Sequence, residues 1–555
     1  MSLQFITGNS GNGKTKYLFN RIVKEAKANP RDNYLVIVPE QFTMQTQRQL
    51  VDLSENKAIM NIDVLSFKRL AYRVFDELGI TNLTVLEETG KNLVLRKLAA
   101  QEADKLGVIG RNLNRIGYIS EVKSLLSELV QYNISPEELG RYIASGRLSD
   151  TLSDKLKDVL VLYEAFEKFM QDKYITAEEI LNVLSNVAEE SAILRNSVIA
   201  FDEFTGFTPI QNQLIKKLFV ISKKIYVTLT IDCREDIFKS RGMQELFDMP
   251  KRTVKSLTEM AAFYGIEVEE PIILDKNYRL AENEELSFME QQLFRKRRCS
   301  FKKVPKHIHI DCLRDPKQEL TKIARRINEL VRNENLRYRD IAIVTGDVNI
   351  YAGYVREIFD KYNIPYFIDA TQEILFHPFI EFIRSIPDIA AQNFSADAVF
   401  RFLRCGFSEL LGSEIDVLEN YVLACGVRGK SAWDKKWVRL PKHKAGYDLE
   451  LLNQSREYIM ELLKPVYQVF SDKKSTVKDY VLAIYKLIVL LDIPDKLAKK
   501  EQALLDAGDQ TASKEYGQIY KIVMQLFEKY VAVLGDECMD AEEFTQILDA
   551  GLDAA

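Results

Sequence analysis

The first fifteen residues restrict the fold more than any other stretch. An apolar run, Leu3 to Thr7, passes straight into G-N-S-G-N-G-K-T at Gly8 to Thr15, and a helical pattern follows from Lys14 to about Asn29. Strand, glycine-rich turn and helix in that order open a βαβ unit, so a parallel α/β sheet is expected at this end of the chain. The eight residues fit G-x-x-x-x-G-K-[ST] without deviation, in the strand-to-helix context that its mechanism demands. After Gly8, the backbone N–H groups of Asn9, Ser10, Gly11, Asn12, Gly13 and Lys14 would form an anion-binding nest at a helix N-terminus, where the helix dipole favours phosphate. Gly11 and Gly13 would let the backbone approach that phosphate. The ligand this predicts is ATP with Mg²⁺, Lys14 reaching the β- and γ-phosphates and the Thr15 hydroxyl holding the metal. A tight turn that uses glycine for geometry alone leaves Lys14 and Thr15 unexplained.

The α/β rhythm continues through YLVIVP (34–39) and a second helix beginning near Gln41. From about Glu87 to Asn196 apolar residues recur at intervals of three and four, as in Leu152, Leu156, Val159, Tyr163, Phe166 and Met170, which predicts a helical insertion. Strand-like runs return at VIAF (198–201) and IYVTLTI (225–231), so one sheet interrupted by a helical domain is the simplest arrangement. A second α/β unit is expected to begin with the strand HIHIDCL (307–313), pass through a helix carrying Ile323, Ile327 and Val331, and reach the strand IAIVTG (341–346). Beyond about Ile386 the pattern is mostly helical, with breaks expected at Pro441, Pro465 and Pro494. A length of 555 residues suits about three or four such domains.

Composition limits the partners. Lys and Arg number 76 against 81 Asp and Glu, a net charge of −5, so no global attraction to a polyanion or a membrane is expected and any nucleic-acid surface must be local. The cysteines, Cys233, Cys299, Cys312, Cys405, Cys425 and Cys538, form no C-x-x-C pair and read as free thiols in a reducing cytosol. His307 and His309 would share one face of a strand, more naturally a solvated face than a ligand pair. No apolar run approaches membrane-spanning length and MSLQFITG has no signal-type core, so the expected compartment is the cytoplasm, with no membrane partner.

ATP hydrolysis needs one carboxylate to support Mg²⁺ and another to position water. In VIAFDEF, Asp202 and Glu203 emerge at the C-terminal end of an apolar strand, the ligand-binding edge of a parallel sheet. Asp202 is the candidate magnesium-side carboxylate and Glu203 the candidate base or water orienter; a surface acidic pair after a strand is the plain alternative. The gap between residue 8 and residue 202 does not suit compact phosphate-loop kinases, and no LSGGQ-like signature of transport ATPases is present.

Further stretches carry a resemblance. VPEQFTMQTQ (38–47) and VLSFKRLAYRVF (64–75) resemble motif Ia of superfamily 1 helicases and the stretch that follows it. VTLTIDCRED (227–236) stands where motif III would be, and LDKNYRL (274–280) is similar to the L-x-x-N-Y-R-S element. Residues 341–369 and FHPFIEFI (376–383) resemble the opening of a second motor-like domain. Over all 555 residues the chain resembles the AddB family, the B subunits of bacterial AddAB helicase–nucleases and relatives of UvrD-like helicases.

The resemblance implies P-loop, RecA-like parallel-sheet units with helical insertions: domain 1A as 1–86 and 197–294, 1B as 87–196, the start of 2A as 295–385, and 2B as 386–555. It implies that Arg279 touches the γ-phosphate and that Tyr278 lies against the base. It further implies an ATP-dependent helicase/deoxyribonuclease subunit that processes double-strand break ends in homologous recombination. That subunit would form a heterodimer with an AddA-type subunit, handle double-stranded DNA ends and single-stranded DNA, and recognise Chi without being the motor.

The departures from the family pattern are informative. TIDCRED lacks the Gln of motif III, and no adenine-reading Gln precedes the loop, which weakens the coupling of hydrolysis to movement along DNA. Family members are longer and end in a nuclease domain with an iron–sulfur cluster. Neither those motifs nor the late helicase motifs are found in this sequence, so it is expected to be an N-terminal part, with the cluster confined to the missing C-terminal part.

Single-stranded DNA binding needs basic residues beside aromatic platforms. Phe42, Phe67, Lys68 and Arg69 lie in segments where superfamily 1 proteins touch the strand, although Phe42 and Phe67 suit a core equally well. The basic run RKRRCSFKKVPK (295–306) is a phosphate clamp or a solvated linker. Two functions remain open: a DNA-handling subunit that turns over ATP, and a nucleotide-binding recognition scaffold without turnover of its own. A small-substrate kinase is a third, poorly matched by the motif spacing.

Overall fold

The computed structural model describes residues 1–555 except 82–84, 87, 109–117, 147, 172–173, 296–298, 370–373, 442–446, 473 and 554–555, and the side chains of residues 89 and 553. The chain forms two compact units, Met1–Asn277 with Ile374–Ala555, and Tyr278–Glu373.

The first unit opens as the sequence rhythm predicts, with β1 (Ser2–Gly8), α1 (Lys14–Ala28), β2 (Tyr34–Ile37), α2 (Thr43–Leu53), β3 (Ile62–Leu65) and α3 (Phe67–Leu78). A largely helical stretch follows: β4 (Val85–Leu86), α4 (Glu88–Gln101), α5 (Tyr118–Gln131), α6 (Pro136–Ala144), α7 (Asp150–Met170), β5 (Ile175–Thr176) and α8 (Ile180–Val187). The sheet then resumes with β6 (Val198–Phe201), α9 (Pro209–Ile221), β7 (Lys224–Thr230), α10 (Asp248–Phe263), β8 (Glu267–Val268) and β9 (Ile272–Leu274).

Strand order is β3-β2-β6-β7-β1-β8, with β9 also pairing β1, and every pairing is parallel. The strand that returns after the helical detour, β6, thus fills the gap between β2 and β7. Both faces of the sheet are buried, as a parallel sheet requires. Phe5, Ile37, Phe201, Val227 and Leu229 pack on one face with residues of α3, α8, α9 and α10. Ile6, Val36, Ala200 and Tyr226 pack on the other beneath α1 and α2.

The helical stretch has its own core around Val94, Leu126, Leu162, Tyr163 and Phe166. The α7 stripe buries Val159, Tyr163, Phe166 and Met170 as its spacing predicts, while Leu152 is exposed. Helix α4 docks on the C-terminal helices: Arg96 donates to the Gln546 carbonyl at 2.9 Å and Lys97 pairs with Glu537 at 2.7 Å.

The second unit holds α11 (Glu284–Gln292), α12 (Pro316–Asn333) and α13 (Val348–Lys361), the last two packed on a small core of Leu320, Ala324, Ile327, Ile358 and Phe359. The helix through Ile323, Ile327 and Val331 is present, but the strands expected at 307–313 and 341–346 do not form. A strand exists only through its ladder, and among the described residues of this unit neither run has a partner strand. Ile310 and Val344 are 93% and 92% exposed in consequence, and His307 and His309 are exposed on a segment outside any strand.

From Ile374 onward the first unit is helical, beginning with α14 (Pro378–Ala391), around a core that includes Phe379, Phe382, Trp433, Ile459, Tyr480 and Tyr530. Pro494 opens a helix as expected, whereas Pro465 lies inside the helix Leu449–Ser471 and does not break it. The lost backbone donor is offset by burial of Leu462, Leu463, Val466 and Phe470 around it. The six cysteines are unpaired, and among the described residues no helix is long and apolar enough to cross a membrane.

His377 caps α14, its Nδ1 accepting from the Phe379 N–H at 3.1 Å, while Nε2 is buried without a hydrogen-bond partner. The ring lies 4.4 Å from that of Tyr516, and burial lowers its pKa from 6.5 to about 4. A histidine held neutral in the fold contributes stability that is fully present above its unfolded pKa and is lost as pH falls toward its folded one. About 2 kcal/mol should therefore disappear between roughly pH 7.5 and pH 5. Urea unfolding across that range should show the loss, and His377→Asn, which keeps a capping acceptor, should flatten it.

Candidate nucleotide site

The C-terminal ends of β1, β6 and β7 are adjacent in the sheet, and the glycine-rich loop leaves the first of them. Two glycines in this loop are required by geometry. Gly13 caps α1 at φ 80°, a left-handed conformation that strains other residues. A Cβ on Gly8 would stand 2.6 Å from the carbonyl oxygen of Leu274, at the end of the neighbouring β9. That close approach lets asparagine side chains tie the loop down. Asn12 donates to the Leu274 carbonyl at 2.5 Å, Asn277 donates to the Ser10 carbonyl at 3.0 Å, and Asn9 accepts from the Cys233 N–H at 2.9 Å. Lys14 lies back over the loop, its Nζ donating to the Asn9 carbonyl at 3.0 Å.

The two sequence signals, 187 residues apart, meet here. Thr15 Oγ1, in the first turn of α1, donates to Asp202 Oδ1 at 3.3 Å and lies 3.4 Å from Glu203 Oε1. Asp202 is 1% exposed, and its Oδ1 also accepts from the Thr228 hydroxyl on β7. Its other oxygen, Oδ2, is buried without a hydrogen-bond partner. Burial raises the Asp202 pKa above the ordinary carboxylate value and the charge of Glu203 adds to the rise, while the Thr228 and Thr15 hydroxyls oppose it. Glu203 has φ 64°, a left-handed conformation uncommon outside glycine, on the turn that brings its carboxylate to Thr15.

These residues fit a phosphate-bound Mg²⁺. The ion takes hard oxygen donors, keeps several waters, and typically relies on one or two carboxylates plus the phosphates themselves. Thr15 and Asp202 supply such donors, and Asp202 Oδ2 has capacity to spare.

Tyr278 and Arg279, also expected at the nucleotide, belong to the Tyr278–Glu373 unit, where both are exposed. Phe67 is a core residue, packed on Phe201 at 5.8 Å and on Phe204 and Phe207, and Phe42 is partly buried against the sheet core. Lys68 and Arg69 are exposed; Arg69 pairs with Glu40 at 2.7 Å, and Glu40 also accepts from Ser66. In the basic run, residues 296–298 lie outside the described residues, and Lys303 pairs with Glu284.

Sequence reasoning missed Thr228 and the part played by Asn277. The first had a signal: in KIYVTLT a polar residue occupies a position that a doubly buried strand would fill with an apolar one. Asn277 had none, because its partner lies 267 residues away.

A parallel α/β sheet with a glycine-rich loop at a helix N-terminus, facing a Thr-Asp-Glu cluster, defines the class as a candidate phosphate-binding protein. The family model described as ADDB, N-terminal, matches residues 5–290. Similar over nearly the whole chain are the B subunits of bacterial ATP-dependent helicase/deoxyribonucleases. The one from Lachnoclostridium phytofermentans is 38% identical over 99% of this chain and 49% of its own length. Those from Clostridium acetobutylicum and Caldanaerobacter subterraneus subsp. tengcongensis are each 32% identical over 100% of this chain and 48% of their own lengths. The chain belongs to the AddB family, and it spans about half the length of the curated relatives it matches.

Proposed function

We propose that this chain is the helicase-like, nucleotide-binding part of an ATP-dependent helicase/deoxyribonuclease subunit that processes double-strand break ends in homologous recombination. The observation that carries the nucleotide reading is the Thr15 hydroxyl held against Asp202 and Glu203 at the mouth of the Gly8–Thr15 loop. In this reading the loop N–H groups and Lys14 hold the phosphates, Thr15 and Asp202 hold Mg²⁺, and Glu203 orients the attacking water. Held by Thr15 and Asp202, the metal would supply charge neutralisation at the phosphates.

The fold would be that of a superfamily 1 helicase relative, its sheet forming domain 1A and its helical segments 1B and 2B. The working particle would be a cytoplasmic heterodimer with an AddA-type motor subunit. This chain would handle duplex ends and single-stranded DNA there and contribute to recognition of Chi, with Lys68 and Arg69 as exposed cations for the strand.

A second reading, a recognition scaffold with static nucleotide, is favoured by the engagement of Glu203 with the Thr15 hydroxyl, which aims this carboxylate at the metal side of the site. ATP turnover separates the two. For an ATPase, single-stranded DNA should stimulate hydrolysis by the purified chain, and Glu203→Gln should lower the rate about 100-fold, the scale of a lost general base. DNA binding indifferent to ATP, with no turnover, would establish the scaffold.

A further inference from the structure

We propose that Thr228 is a positioning residue for the magnesium-side carboxylate, an inference that rests on the nucleotide-site reading above. Strand register brings the two side chains together. Strands β6 and β7 run parallel with Phe201 opposite Val227, so Asp202 and Thr228 come next, side by side just past the last paired residues. Side chains alternate between the faces of a sheet. Ala200 and Tyr226 pack on the α1 face, and Asp202 and Thr228, two residues further along their strands, point the same way. Thr15, in the first turn of α1, completes the group from above.

Thr228 is 3% exposed in a strand whose buried neighbours are Tyr226, Val227 and Leu229. A hydroxyl at such a position costs free energy unless it is hydrogen-bonded, and valine has nearly the same shape without that demand. Packing alone therefore does not account for threonine. Its hydroxyl donates to Asp202 Oδ1, the same oxygen that receives Thr15, while Oδ2 has no hydrogen-bond partner. Two donors on one oxygen fix the plane of the carboxylate and leave the second oxygen with its lone pairs available to a cation or its bound water. Thr228 would act through Asp202, the partner of its hydroxyl.

The experiment is a titration of the purified chain with a fluorescent ATP analogue at increasing Mg²⁺ and, separately, in EDTA. For Thr228→Val the Mg²⁺ concentration giving half of the metal-dependent gain in affinity should rise about tenfold, the scale of one hydrogen bond to a charged group. Affinity in EDTA should stay within about twofold, because the loop and Lys14 are untouched. Thr228→Ser, which restores the hydroxyl, should return the Mg²⁺ dependence toward that of the unsubstituted chain. This rescue and the metal-specific effect distinguish positioning from a loss of folding. If Thr228→Val does not fold, Thr228→Cys carries the same test, since a thiol is a weak donor of similar size. Mg²⁺ dependence unchanged in the folded variant, while the unsubstituted chain shows a clear one, would overturn the inference and leave the nucleotide site standing. No binding of the analogue by the unsubstituted chain under any condition would overturn the nucleotide reading itself.

Discussion

Lys14→Ala is expected to weaken ATP binding by between 10-fold and 100-fold while leaving the melting temperature nearly unchanged. The lysine follows Gly13, whose left-handed conformation starts α1 and turns the Lys14 side chain back across the loop. Its ammonium donates to the Asn9 carbonyl at 3.0 Å, within the nest that would receive the phosphates. Hydrogen bonds to charged groups contribute about 1.5–3 kcal/mol, which sets the expected loss for the two phosphates that Lys14 would serve. The fold has less at stake, because an ordinary hydrogen bond such as that to Asn9 contributes about 1 kcal/mol. Lys14→Arg should rescue poorly, since a planar guanidinium does not replace a point charge at the floor of a tight loop. Equilibrium titration with a fluorescent ATP analogue, paired with a thermal melt, checks both parts. Unchanged affinity would remove the basis for a phosphate site.

The largest effect on stability is expected from Trp433→Ala, a loss of about 3–5 kcal/mol from the helical core, the range seen when large buried aromatics are truncated. Trp433 is 0% exposed, with ring centroids 5.3 Å from Trp437 and 6.4 Å from Phe400. The surrounding groups have little freedom to close the resulting cavity. Arg456, itself buried, donates to the Trp433 carbonyl at 2.8 Å, and Asn453 holds both backbone groups of Trp437. Urea unfolding followed by helical signal should show the reduced midpoint. Binding of the ATP analogue below that midpoint should persist, because Trp433 belongs to the helical core and the loop to the sheet.

How much was legible in advance depended on the range of the interactions. β1, β6 and β7 fall where apolar runs bounded by turn residues predicted them, because a strand buried on both faces is mostly apolar. The same reasoning failed at HIHIDCL and IAIVTG, where the pattern is right but no neighbouring strand is present among the described residues of their unit. It failed again at Pro465, where tertiary burial outweighed a local breaker. Phe67, open between core and DNA contact in the sequence, is settled as core by its packing on Phe201, Phe204 and Phe207.

The sequence by itself determined the candidate residues and the elements that carry them: a glycine-rich loop between strand and helix, and a carboxylate pair at the C-terminal end of a buried strand. These are local properties, set by residue type and by the two periods of helix and strand. Only the tertiary structure decided that Thr15 meets Asp202 and Glu203, that Thr228 shares the Asp202 oxygen, and that Asn277 ties down Ser10. Those contacts span 26 to 267 residues and follow from strand order and register. The physical reason is that a parallel sheet brings together residues that no spacing rule relates.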